Sequence, residues 1–194
     1  MIRALLAGTK AQTRRVVKPT PVGLWGGTNL HKHTFVGIAN GKNGASEAPV
    51  DHCWRCPYGQ PGDRLWVRES FRKIIGDAHG WIETDYRATY EPGARMGDHL
   101  GVKPKWSPSI HMPRAASRIT LEITDVRAER LNDITTGDAE AEGWPGPDED
   151  NTIASAYPIA WYARLWNQIN GKRHPWDSNP WVWVVSFVRD PGGK

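Results

Sequence analysis

Ser117-Arg118-Ile119-Thr120-Leu121-Glu122-Ile123-Thr124-Asp125-Val126 alternates more cleanly than any other stretch of the chain. Ile119, Leu121 and Ile123 fall on one side of an extended backbone, and Thr120, Glu122 and Thr124 on the other. That period of two predicts a strand buried on one face. Working outward, Trp181 to Val188 reads as a final strand, with Trp181, Trp183, Val185 and Phe187 alternating. Pro61-Gly62-Asp63-Arg64 is a turn, and Leu65 to Glu69 follows it as a strand, Leu65 and Val67 facing opposite to Trp66 and Arg68. Tyr86 to Tyr90 reads as another strand.

Three helices lie between these strands. Ile2 to Ala7 is long enough for about two turns. Asp138-Ala139-Glu140-Ala141-Glu142-Gly143 is a short helix closed by glycine and capped near Thr135 or Thr136. A third helix has Pro158 in its first turn, an apolar stripe of Ile159, Tyr162, Leu165, Trp166 and Ile169, and Gly171 just past its end. Residues 19–62, 91–114 and 145–151 are dense in Gly and Pro and read as loops, the first with room for one short hairpin. Strands spread over the whole length predict an α+β fold, a small mixed β-barrel with inserted helices, rather than a layered βαβ sheet.

The 194 residues suffice for one ample domain, and we expect a single domain over 1–194. Charged residues at 24% and hydrophobics at 39% are ordinary for a folded soluble chain. A net charge of +4 permits contact with nucleic acid without demanding it. Eleven tryptophans should mostly pack the core, with one or two free to stack on a base. No apolar run is long enough to span a membrane, and residues 1–7 are too short for a signal core, so a cytoplasmic protein is expected. Cys53 and Cys56 frame a CxxC beside His52, with His31 and His33 upstream. Zinc usually needs four ligands and no second CxxC exists, so no metal and no cofactor are expected.

The densest chemistry lies in Ala7-Gly8-Thr9-Lys10-Ala11-Gln12-Thr13-Arg14-Arg15. Gly8 suits a helix end, because it accepts positive φ without a Cβ clash. By residue types the stretch fits a solvated basic turn. It also fits a threonine nucleophile served by a lysine whose pKa is lowered by burial and by Arg14 and Arg15. In a regular strand Lys10 and Thr13 would face opposite sides, so they meet only across a turn or bulge.

Four blocks together resemble phage and prophage proteins with an ASCH domain, a PUA-like barrel. They are Gly8 to Pro19, Cys56 to Glu69, Trp106 to Arg118 and Asn179 to Phe187. The resemblance implies a link to RNA. Some small ASCH members are amidohydrolases that remove the acyl group from N(4)-acetylcytidine, using a lysine and a threonine in a G-x-K-x-x-T stretch and a glutamate on a later short helix. Here that implies Lys10, Thr13 and Glu142 as catalytic residues. Arg14, Trp66, Arg68, Glu69 and Arg114 are the candidate substrate contacts, with Trp66 stacking on the base and N–H groups near the Gly8 turn holding the oxyanion. The implied partner is a modified cytosine nucleoside or RNA. Other members are ribonucleases or RNA-binding modules. This chain departs in starting at Met1-Ile2-Arg3, where members usually carry a preceding strand, and in having Ala11 where threonine is common.

Overall fold

The computed structural model of the chain describes residues 1–18, 34–39, 50–75, 82–90, 105–147, 157–190 and 192. Among them run strands β1 (Gln12–Val16), β2 (Thr34–Ala39), β3 (Val50–Arg55), β4 (Arg64–Trp66), β5 (Phe71–Ile75), β6 (Ile82–Tyr86), β7 (Thr120–Arg130) and β8 (Trp181–Asp190). The helices are α1 (Ile2–Leu6), α2 (Thr136–Ala141) and α3 (Pro158–Asn170). The fold is mixed α+β, built on a curled antiparallel half-barrel sheet of order β1-β8-β7-β4. β2–β3 and β5–β6 form separate two-stranded ladders, the first being the hairpin that the 19–62 stretch had room for.

β8 organises the sheet. Residues Trp181 to Val185 are buried in an unbroken row, because β8 is central and covered on both faces. Trp181, Trp183 and Val185 pack with Val17, Ile123 and Val126 on one face. Val182 and Val184 pack on the other with Ala139 of α2, Tyr162 and Trp166 of α3, and Leu131 and Ile134. The alternation of Trp181, Trp183, Val185 and Phe187 thus describes only one of two buried faces. Each fully buried side chain of this size contributes roughly 1.5–3 kcal/mol of transfer free energy, so this strand is the main anchor.

β7 carries the decisive irregularity. Ile123 pairs with Phe187 and Asp125 with Ser186, so Thr124 is an extra residue, a β-bulge. Up to Ile123 the odd-numbered residues face inward. After the bulge Val126 takes over, and Arg127 and Glu129 turn to the face of Val184 and Val182, their partners on β8. Arg14 pairs with Val184 across the other edge of β8 and so shares that face.

α1 ends as the sequence implies. Gly8 has φ of +76°, its N–H donates to Leu5 O (3.2 Å), and Thr9 N–H donates to Ala4 O (2.9 Å), a Schellman closure. α2 is capped by Thr135, whose hydroxyl accepts from Asp138 N–H while the Asp138 carboxylate reaches back to Thr135 N–H. α3 runs from Pro158 to its cap at Gly171, as expected.

Two strand expectations need correction. The strand is Ile82–Tyr86 and not Tyr86 to Tyr90. Arg87 N–H donates to Ser70 O (3.0 Å), which ends the ladder and starts a 3₁₀ turn over Arg87–Thr89. The strand read as Leu65 to Glu69 stops at Trp66, though Val67 N–H still reaches Ile119 O at 2.9 Å. Residues 105–114 are turns as expected, and 91–104 lie outside the described residues. Among the described residues no helix is long and apolar enough to cross a membrane.

Candidate active site

The Gly8 turn delivers the chain into a single isolated bridge between Lys10 and Glu142. Ala11 N–H donates to Ala141 O (2.8 Å) and Phe187 N–H to Ala11 O (2.9 Å), so this segment is stitched to α2 on one side and β8 on the other. Lys10, Gln12 and Arg14 then fall on one face at period two, and all three are buried. Lys10 Nζ donates to Glu142 Oε2 at 2.6 Å and to the Glu142 main-chain oxygen at 2.8 Å. Glu142 follows α2 directly as its C-cap residue. Gly143, with φ of +96°, leaves room for the lysine stem: a Cβ there would lie 3.2 Å from Lys10 Cβ.

Arg14 holds this pair from behind. Its guanidinium is wholly buried. It bonds Glu129 Oε1 (2.7 Å through Nη2), Gln12 Oε1 (2.7 Å) and, at longer range, Asp138 Oδ2 and Glu142 Oε1 (3.4 Å each). Arg127 closes the other end, donating to Glu129 Oε2 (2.9 Å) and Asp138 Oδ1 (2.8 Å). Tyr162, which the sequence places only in an apolar stripe, also sends its hydroxyl to Glu142 Oε1 at 3.3 Å. Three cations therefore face three carboxylates in one network that ties β1, β7 and α2 together.

Electrostatics follow from burial and partners. Burial lowers the Lys10 pKa below the ordinary lysine value. The charge and hydrogen bond of Glu142 oppose that shift, and Arg15 and Arg14 add to it. Burial and then the charge of Glu142 push the Tyr162 phenol well above its usual range, so it stays a hydrogen-bond donor. Burial works to raise the Asp138 carboxyl, but hydrogen bonds from Thr135, Gln12 and Arg127 hold it well below the usual carboxylate range.

Thr13 sits differently. It pairs with Val185 and so faces away from Gln12 and Arg14 on its strand, and its hydroxyl accepts from Arg15 Nη1 at 2.9 Å. Among the described residues no hydrogen bond joins Thr13 to Lys10. Because β1 is an edge strand, Thr13 still lines one cleft of about 160 Å³ together with Arg15, Glu142 and Tyr162. The structure thus brings Lys10 and Glu142 into contact and brings Thr13 and Glu142 to a common cleft.

The candidate substrate contacts scatter. Arg14 does line the Thr13–Glu142 cleft, as expected, although its guanidinium is buried against Glu129, Asp138 and Glu142; the others lie elsewhere. Trp66 is on β4, at the opposite edge of the sheet from β1, about 14 Å away along the sheet at ordinary strand spacing. Its ring is covered by the Arg68 guanidinium at 5.2 Å, the neighbour two residues on. Glu69 is buried, and both its oxygens are bonded by Arg118 (2.9 and 3.1 Å); it lines a different cleft, of about 380 Å³, together with Arg3, Arg87 and Tyr90 and apart from Thr13. Arg114 is exposed beyond β4 and lines no cleft with Thr13. The oxyanion donors expected near Gly8 are also corrected. The N–H groups of Gly8, Thr9, Lys10 and Ala11 are all committed to main-chain carbonyls. Arg14, Arg15 and Tyr162 are among the donor-bearing residues that line the cleft instead.

Sequence reasoning missed Gln12, Glu129, Asp138, Arg127 and Tyr162. The period-two run Lys10, Gln12, Arg14 was a readable signal for one polar face. The phase slip from Ile123 to Val126 was another, for the bulge that aims Glu129. Of the residues around the CxxC, His31 and His33 lie outside the described residues, as do the side chains of His52 and Cys53, and Cys56 is a half-buried free thiol. Compared with family models, curated proteins and solved structures, the chain finds no match.

Proposed function

We propose that the chain is an amidohydrolase of PUA-like, ASCH type that removes the acyl group from N(4)-acylated cytosine nucleosides such as N(4)-acetylcytidine. One observation carries this reading. A buried lysine–glutamate pair at 2.6 Å stands beside a cleft that Glu142 lines together with Thr13. Lys10 donates to Glu142 through both side chain and main chain, and burial eases the loss of its third proton; once neutral, it would keep both bonds. The remaining position on Nζ is the lone pair of a base.

In the chemistry this supports, the Lys10–Glu142 pair takes the proton of Thr13 as Oγ1 attacks the acyl carbonyl carbon. Arg15, 2.9 Å from Oγ1, steadies the negative charge. The pair returns the proton to the N4 amine as the C–N bond breaks, leaving an acyl-threonine ester and the cytosine nucleoside. Water then hydrolyses the ester, releasing the carboxylic acid and restoring the hydroxyl. A second reading, an RNA-binding module without chemistry, is favoured by the missing hydrogen bond between Thr13 and Lys10. One assay separates them: N(4)-acetylcytidine and a labelled single-stranded RNA are each mixed with the protein. Deacylation supports the amidohydrolase, retention of intact RNA alone supports the module, and cleavage marks a ribonuclease. Thr13→Ala should reduce deacylation to background. Activity within a few-fold of the parent would remove the covalent route and leave water as nucleophile.

A further inference from the structure

The cleft holding Thr13 and Glu142 is small. At about 160 Å³ it falls below the roughly 300 Å³ at which pockets begin to enclose a drug-sized ligand. It can take the edge of a base and its acyl group, and the rest of a substrate must lie outside. A second cleft, about 540 Å³, adjoins it and shares Arg15, Ile169 and Asn170 as wall. Its other cationic lining comes from Lys18, just after β1, and from Lys172 and Arg173 in the turn after α3, with His174 beside them. Among the described residues no acidic side chain lines it.

A basic turn after a helix has an ordinary explanation, since cations favour a helix C-terminus. That accounts for Lys172 and Arg173 but not for Arg15 and Lys18, which arrive from another element on the same concavity. Nor do these four cations neutralise one another's surroundings. Among the described residues Arg15 donates only to Thr13 Oγ1 and Arg14 O, and Lys18, Lys172 and Arg173 make no ion pair. The nearby charged network, by contrast, matches each cation with a carboxylate. A concave groove with an exposed Tyr58 on its wall also suits a flexible strand better than a flat bilayer.

We propose that this groove holds the phosphate backbone of a single-stranded polynucleotide, so that the base entering the Thr13–Glu142 cleft belongs to a polymer and not to a free nucleoside; the second half of this statement rests on the amidohydrolase reading. Tyr58 is the aromatic face available to a neighbouring base. Four engaged cations predict that the logarithm of the binding constant falls with the logarithm of salt concentration at a slope of about −3.

The test uses fluorescence anisotropy with a short fluorescein-labelled single-stranded RNA, the same sequence as DNA, and phosphatidylserine vesicles. The parent is compared with Lys172→Gln/Arg173→Gln and with Lys18→Gln, all exposed positions. Expected are binding of RNA or DNA with the stated slope, a loss of roughly tenfold in the double variant with the slope shallower by about 1.4, and a smaller loss in Lys18→Gln. Turnover of free N(4)-acetylcytidine should be equal in all three proteins. Binding only to vesicles, absence of binding, or a slope that the variants leave unchanged overturns the groove. Nucleoside turnover reports separately on the amidohydrolase reading: its absence with RNA binding intact sinks that reading and leaves the groove standing.

Discussion

Among the described residues two glutamates are buried, and they are buried for different ends. Glu69 meets one cation, Arg118, through two parallel bonds of 2.9 and 3.1 Å, and the Arg118 guanidinium lies 4.0 Å from the centre of the Tyr86 ring. Both oxygens are used, and the pair acts as a clasp between the segment after β4 and the segment before β7. Glu142 divides its oxygens. Oε2 has one short bond to Lys10, while Oε1 has two long contacts, to Tyr162 and Arg14, and faces a cleft. A closed bidentate pair has each oxygen already held by a short charge-assisted bond, which leaves less capacity for a substrate even though Glu69 also lines a cleft. A carboxylate with one short and two long partners keeps more, and its position beside a cleft makes that capacity reachable.

The sharpest way to break this contrast is to remove one partner at each site. Lys10→Met should abolish deacylation and lower unfolding stability by about 3–5 kcal/mol, because it strands a buried carboxylate. Adding Glu142→Gln should recover most of the stability and none of the activity, as read by urea melts beside the deacylation assay. Recovery of activity in the double variant would show that Lys10 serves only as a counter-ion.

Glu142→Gln alone tests whether the carboxylate moves a proton. A loss of roughly a hundredfold or more is expected, the scale of general acid–base catalysis. The pH profile should move too. In the proposed mechanism the base is neutral Lys10, so activity should rise with pH toward an apparent pKa below the ordinary lysine value of about 10.4. Glu142 raises the Lys10 pKa, so the glutamine variant should shift that rising limb to lower pH. A stationary limb would place the catalytic carboxylate elsewhere, with Glu140 the next candidate.

At the clasp the effects should be smaller and confined to folding. Glu69→Gln is expected to cost about 1–3 kcal/mol, since it weakens a charged hydrogen-bonded pair whose arginine is partly exposed. Deacylation should remain within a few-fold of the parent; a loss as large as that in Glu142→Gln would return Glu69 to the substrate contacts. Smallest of all, Gly143→Ala should cost about 1 kcal/mol, from a side chain forced to positive φ. It should also slow deacylation several-fold, because the new Cβ presses the Lys10 stem.

How much of this was legible in the sequence follows from the range of each interaction. Ile119, Leu121 and Ile123 announce β7 because strand burial is a local pattern. Pro158, the Tyr162–Trp166 stripe and Gly171 announce α3 for the same reason. β5 escaped, since Phe71-Arg72-Lys73-Ile74-Ile75 has no clean period of two. The meeting of residues 10 and 142 is set by the bridge between the Gly8 turn and the end of α2, which no local period encodes. Glu142 was reached only through family resemblance. Glu129 was hidden by the bulge at Thr124, which reverses the face of everything after it. Trp66 was misplaced because strand order, and not sequence distance, decides that β4 lies at the far edge from β1.

The pairing of β1 with β8 has a consequence in time. Gln12 and Ser186 are hydrogen-bonded neighbours 174 residues apart. The strand that carries Gln12 and Arg14 therefore leaves the ribosome well before β8 and waits for it, and the arrival of β8 completes the sheet. Closing so long a loop adds little to the equilibrium cost, about 0.6 kcal/mol per doubling of length, but contacts this distant form slowly. Catalytic competence in a refolding or translating chain should thus be among the last properties to appear, trailing the recovery of α3 helicity.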